Sequence, residues 1–129
     1  MDTRASIEAL LDKAYDARRR NDAEGAAAAF CEDGCFTANG MPAGAKSRAE
    51  QVAALKQMFE AFTLLEFRQH CRIIDPPRAV VHWHGKFRAQ NGRVGDTDIL
   101  DLIEVKDGRI ASLTTFYDTA YALSLAAPA

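Results

Sequence analysis

The sequence predicts an α+β domain in which N-terminal helices pack on a curved antiparallel sheet around an internal pocket. Three observations carry this expectation. Apolar residues recur at helical spacing through the first half of the chain, the period changes to two from Leu64, and turn signals then divide the remainder into long strands. The 129 residues suffice for one domain with a real core, and no repeat, low-complexity linker or boundary interrupts residues 1–129.

Ile7, Leu10, Leu11, Ala14, Tyr15 and Arg18 follow the i, i+3, i+4, i+7, i+8 pattern and place one stripe on a first amphipathic helix. Arg18, Arg19 and Arg20 fall at its end, where they complement the helix dipole rather than grip phosphate. Asn21 opens a second helix, with Glu24 as capping-box partner, and Asp33-Gly34 ends it. Residues 35–38 form a short strand before an Asn39-Gly40 turn. Ser47, with Glu50 three residues on, starts a third helix whose inner stripe is Val52, Leu55, Met58, Phe59 and Phe62.

In the next segment Leu65, Phe67, Cys71 and Ile73 alternate with Glu66, Arg68, His70 and Arg72, the pattern of a half-buried strand. Pro76-Pro77 breaks it. Strands follow over 78–89, 96–106 and 109–117, joined by turns at Asn91-Gly92 and Asp107-Gly108. Asp118 and Thr119 cap a short helix from Ala120, and residues 126–129 read as a frayed tail.

A net charge of −2 leaves no electrostatic footprint for nucleic acid. The N-terminus has no apolar signal region, and no apolar run approaches the roughly 20 residues that cross a bilayer. A cytoplasmic protein without nucleic-acid or membrane partners is expected. Cys31, Cys35 and Cys71 lack metal-ligand spacing and read as reduced, partly buried residues. No Gly-rich phosphate loop follows a strand.

The stretches AYDARRRNDAEGAAAAFCEDGCF and DILDLIEVKDGRIASLTTFYD resemble the NTF2-like superfamily, specifically its SnoaL-like small proteins. The resemblance covers nearly the whole chain. Its most specific parts are the Asn21-Asp22 junction, the Phe30 to Asp33 helix end and the Val105 to Ile110 hairpin, all marks of fold rather than chemistry. It implies an NTF2-like cone with a hydrophobic cavity for a small hydrophobic ligand, a homodimer through the outer sheet face, and acid–base chemistry without metal or cofactor. Relatives include ketosteroid isomerases, polyketide cyclases, scytalone dehydratases and limonene epoxide hydrolases. Carried over from the isomerases, the general-base aspartate falls at Ala38, the oxyanion tyrosine near Ala14, one residue from Tyr15, and the protonated oxyanion aspartate at Asp101.

Register arguments choose the remaining polar groups. A two-residue Asn91-Gly92 turn pairs Gln90 with Arg93, which sets His84 opposite Ile99 and His82 opposite Asp101. For the second hairpin two readings stand. A three-residue loop with Gly108 as a bulge pairs Asp101 with Leu113, so that Ile99, Asp101, Ile103, Leu113, Thr115 and Tyr117 share the face of His82 and His84. A strict two-residue turn instead puts Asp98, Leu100 and Leu102 with Leu113, Thr115 and Tyr117, and Trp83 and Phe87 join them. The bulged reading agrees with the family pattern at Asp101.

Under it the catalytic candidates are His84, Asp101, His82 and Tyr117, and the pocket candidates are Tyr15, Phe36, Phe59, Ile99, Ile103, Leu113 and Thr115. A histidine takes and returns protons near neutral pH, a buried carboxyl donates when protonated, and a tyrosine supports an oxyanion. The plainer reading makes His82 and His84 an exposed or interface pair, and Asp101 a partner of Lys86 or Arg88. Two histidines at i, i+2 with a carboxylate are also part of a metal set, but no fourth ligand is in view and no metal is expected. A face carrying Trp83, Phe87 and Phe116 predicts a homodimer. The expected function is that of a small-molecule acid–base enzyme (isomerase, cyclase, dehydratase or hydrolase) acting on an apolar oxygenated substrate. The alternative is a non-catalytic ligand-binding or dimerisation module.

Overall fold

Thr3 and Ser6 exchange side-chain and backbone hydrogen bonds, and this capping box starts α1 (Arg4–Arg19). The computed structural model describes residues 2–38 and 47–128. After α1 come α2 (Ala23–Ala28), β1 (Phe30–Ala38), α3 (Arg48–Ala61), β2 (Phe62–Asp75), β3 (Arg78–Ala89), β4 (Val94–Lys106), β5 (Arg109–Phe116) and α4 (Thr119–Ala126). The sheet order is β1-β5-β4-β3-β2. All neighbours are antiparallel except β1, which runs parallel to β5.

Helices cover one sheet face, and the core lies between the two layers. Ile7, Leu11 and Tyr15 of α1 and Leu55 and Phe59 of α3 are buried there against Val81, Trp83, Phe87, Ile99, Ile103 and Ile110. Alternation is cleanest in β3 and in β4 from Ile99 onward, where every second residue is buried. Four register breaks, in β1, twice in β2 and near the β4–β5 turn, bend the sheet around the helices.

The expected caps of α3 and α4 are present: Ser47 accepts from Glu50 N, and Asp118 from Tyr121 N. The cap of α2 is Asp22 rather than Asn21, its carboxylate accepting from Gly25 N at 3.0 Å. Asn21 takes φ 54 and brackets the Leu64 backbone, donating to its oxygen and accepting from its nitrogen, each at 3.0 Å. The second helix also ends earlier than the alanine run suggests. Ile110 N donates to Ala29 O, and Phe30 already pairs with β5, so strand pairing overrides helix propensity from that point. The expected Asn39-Gly40 turn lies outside the described residues.

Two departures concern β2 and the C-terminus. Bulges at Leu65 and His70 shift the alternation, so Leu64, Phe67 and Ile74 face inward while Leu65, Cys71 and Ile73, expected inside, are exposed. The chain end is tied down rather than frayed up to Ala127, whose carbonyl accepts from Asn91 Nδ2 at 2.8 Å and from the Arg93 guanidinium. Among the described residues no helix is long and apolar enough to cross a membrane.

Candidate functional site

The inner stripe of α1 carries two polar side chains into the core. Tyr15 is 6% exposed, and its hydroxyl donates to Asp101 Oδ2 at 2.5 Å. From β3, Trp83 Nε1 donates to the same oxygen at 2.9 Å. Asp101 itself is buried on β4; among the described residues its other oxygen, Oδ1, has no hydrogen bond of normal geometry, although Thr115, its partner on β5, acts on the carboxyl as a side-chain hydrogen-bond donor. Tyr15 and Trp83 therefore both use the lone pairs of Oδ2, and any proton held by Asp101 sits on Oδ1.

Burial pushes the Asp101 carboxyl up, against the opposing effects of Thr115, Tyr15, Trp83 and the Arg18 charge. Burial, and then the charge of Asp101 and the bond to it, raise the Tyr15 hydroxyl well above its usual value. Tyr15 thus stays a donor.

One turn further along α1, Arg18 lies with its guanidinium carbon 4.4 Å from the Phe59 ring centroid, 5.7 Å from that of Trp83 and 5.8 Å from that of Phe87. The residue is half-buried as a whole, but its Nη1 is enclosed without a hydrogen-bond partner among the described residues. Burial lowers its pKa to about 10, which still leaves a cation at neutral pH. Phe67, with its ring 5.5 Å from Tyr15 and 4.9 Å from Trp83, backs the group from β2.

Tyr15, Arg18, Trp83, Phe87 and Asp101 line a mainly apolar cavity of about 120 Å³ between the helices and the sheet. Phe36, Ile99, Leu113, Thr115 and Tyr117 form part of its wall, and Tyr121 and Leu125 of α4 close one side. Phe59 and Ile103 are buried in the same core but do not line it. Asp101 is the single carboxylate in the wall among the described residues, and Ala38, where the isomerase alignment puts a base, is buried at the end of β1.

His82 and His84 are not in this site. The Asn91-Gly92 hairpin has a three-residue loop: Ala89 N donates to Arg93 O, Gly92 N to Ala89 O, and Gly92 takes φ 88. Val81 therefore faces Asp101, His82 faces Leu100 and His84 faces Asp98, one residue from the expected register. Such a slip carries every side chain to the opposite face. Both histidines lie outside, and Trp83 and Phe87, expected on an outer apolar face, lie inside with only Phe116 left outward.

The second hairpin has a tight two-residue turn, Asp107 at φ 51 and Gly108 at φ 77, and the extra residue is Ala111 rather than Gly108. Asp101 pairs with Thr115, not Leu113, so Ile99, Asp101, Ile103, Leu113 and Thr115 keep a common face.

On the outer face His84 Nδ1 lies 2.8 Å from Asp98 Oδ1, and its Nε2 lies 2.8 Å from Asp96 Oδ2. These hydrogen bonds raise the His84 pKa and lower that of Asp98. Arg18 was on the predicted stripe, but its place in a run of three arginines pointed to the helix end. The signal that marks it is the i+3 spacing from Tyr15.

A family model for the SnoaL-like domain matches residues 11–113. No curated protein matches. Among solved structures, an NTF2-like protein of unknown function from Burkholderia pseudomallei K96243 is 21% identical with a TM-score of 0.82, over 95% of this chain and 98% of its own. A putative polyketide cyclase from Xanthomonas campestris pv. campestris is 18% identical with a TM-score of 0.81, over 96% and 98%. An LEH-like epoxide hydrolase of M. tuberculosis is 15% identical with a TM-score of 0.75, over 93% and 88%. At these identities the likeness is one of NTF2-like fold, while the family match spans most of the sequence: the chain belongs to the SnoaL-like domain family.

Proposed function

We propose that the cavity is the active site of an acid–base enzyme acting on a small apolar molecule that carries a carbonyl or carboxylate oxygen. The observation behind this reading is the buried carboxyl of Asp101, with Oδ2 fixed by Tyr15 and Trp83 and Oδ1 without a hydrogen bond of normal geometry among the described residues. Oδ1 takes a proton from substrate carbon or delivers one to substrate oxygen, and Arg18 Nη1 supplies positive charge where an oxyanion develops. The cavity of about 120 Å³ approaches the roughly 150 Å³ that accommodates benzene, so the substrate is of single-ring size.

With one carboxylate in the wall, the same group must remove and return the proton. This favours isomerisation over a hydrolysis that uses two carboxylates. The test is NMR in D2O on small cyclic ketones and unsaturated acids. Exchange at the carbon beside the carbonyl, lost in Asp101→Asn, is expected; no exchange above the Asp101→Asn background contradicts enzymatic proton transfer.

A second reading, a ligand-binding module without chemistry, is favoured by Ala38, which stands where the isomerase alignment puts the general base, and by Asp101 being the single carboxylate of the cavity wall among the described residues. Binding without exchange would select it. We further propose a homodimer through the outer sheet face, where Ile73, Leu100, Leu102 and Phe116 are exposed. A reducing, cytoplasmic location fits Cys31, Cys35 and Cys71, which are all free thiols.

A further inference from the structure

Away from the cavity, three histidines from two strands converge on one carboxylate of a third. Asp98 Oδ1 on β4 lies 2.8 Å from His84 Nδ1, 3.5 Å from His70 Nε2 and 3.7 Å from His82 Nε2. The His70 ring centroid is 4.8 Å from that of His82 and 6.1 Å from that of His84. We propose that His70, His84 and Asp98, with His82 beside them, form a binding site for a divalent transition-metal ion of the zinc type.

The geometry suits such an ion. Bonds of about 2.0–2.1 Å in a tetrahedron put neighbouring donor atoms roughly 3.3 Å apart. The three nitrogens straddle that separation from Asp98 Oδ1, so small side-chain rotations convert the cluster into a coordination shell. One donor atom each from His70, His84 and Asp98 already lies within 4.8 Å of the other two. The outer shell is present as well. His84 meets Asp98 with Nδ1 and Asp96 with Nε2 at 2.8 Å, the carboxylate–histidine arrangement that fixes tautomer and ring orientation in metal sites.

Sequence spacing pointed to His82 and His84 with Asp101 as the carboxylate and lacked a fourth group; in the fold Asp101 is in the core and the carboxylate beside the histidines is Asp98. The fourth is His70, the extra residue of the second β2 bulge, which stands on the outer face across β3 from Asp98. A bound ion would staple β2, β3 and β4 together. The cluster occupies the polar end of the outer face, on the rung of Arg68, His84 and Asp98, reaches the rung of Leu100 through His82, and leaves the rung of Leu102 clear.

The test is calorimetric titration of the chelator-stripped chain with Zn²⁺, paired with Co²⁺ absorption. One ion per chain is expected, with a rise in melting temperature and the visible bands of four-coordinate cobalt bound by nitrogen and oxygen. His70→Gln and Asp98→Asn should each weaken binding at least tenfold, and Asp96→Asn about tenfold through His84. All three positions are exposed, and far-UV circular dichroism checks their folding. The double substitution Cys31→Ser/Cys35→Ser should change nothing. No saturable binding at millimolar Zn²⁺, binding indifferent to His70→Gln and Asp98→Asn, or a sulfur-to-cobalt charge-transfer band would overturn the proposal.

Discussion

Tyr15→Phe removes one hydroxyl from the centre of the cavity wall. The ring keeps its place, because its contacts with Phe67 at 5.5 Å and Trp83 at 6.4 Å do not involve the oxygen. What is lost is one of two donors to a buried carboxyl oxygen. A buried hydrogen bond to a group that carries charge contributes about 1–3 kcal/mol, or a fall in melting temperature of roughly 4–12 °C at this chain length. The pH dependence adds a sign. Burial holds the folded Asp101 pKa above its unfolded value, so wild-type stability declines as pH rises from the unfolded pKa through the folded one. The Tyr15 bond opposes that upward shift, and without it the folded pKa climbs further. The loss caused by Tyr15→Phe is therefore smallest in acid, where Asp101 is protonated in both folded proteins, and grows as pH rises from the folded pKa of the wild type through the higher folded pKa of the variant. Urea unfolding at a series of pH values measures it. A variant as stable as wild type at neutral pH, or a loss that does not change with pH, would refute the reasoning. In an Asp101→Asn background the loss should shrink to about 1 kcal/mol and become flat with pH.

Other parts of the fold are as open to test. Gln51→Leu should cost about 2–4 kcal/mol in urea denaturation, because Gln51 Nε2 donates to Cys31 O and Gly34 O, each at 2.8 Å, across the irregular part of β1. Gly85→Ala should cost about 1–3 kcal/mol, since an added Cβ would stand 2.6 Å from the Phe87 ring and 2.7 Å from that of Trp83; an unchanged melting temperature would mean those rings repack freely. Leu100→Asp should halve the light-scattering mass without altering the circular dichroism, since Leu100, Leu102 and Phe116 leave 40%, 42% and 40% of their surfaces exposed on the proposed interface. A wild-type mass of one chain would end that proposal.

The helices and the hairpin succession from β2 to β5 were legible because their signals are local: the α1 stripe, the Ser47 and Asp118 caps, and the Pro-Pro and Gly turns each act within a few residues, whereas the parallel pairing of β1 with β5 is not local. The site was harder to read, since face assignment depends on single-residue counts. Asn91-Gly92 suits a two-residue turn as well as the end of a three-residue loop, and the loop that forms moves His82 and His84 outside and Trp83 inside. The β2 bulges at Leu65 and His70 have no comparable composition signal, and His70 reaches Asp98 only across β3. Gln51 escaped notice because a polar residue on an inner stripe reads as a gap until the carbonyls it serves are placed. Asp101 was legible through the family pattern, and Tyr15 through the stripe. Their contact across 86 residues is a property of the folded chain.

Trp83 is the only tryptophan of the chain, and it lines the cavity beside Asp101 and Arg18. Its fluorescence is the most direct probe of whether the cavity recognises an oxygenated apolar ligand. Titration of the wild type with cyclohexylacetate should give a saturable change, with affinity at least tenfold weaker in Arg18→Gln and little binding of the hydrocarbon lacking the carboxylate. No saturable change, or equal affinity in Arg18→Gln, would contradict the assignment of this cavity as the functional site.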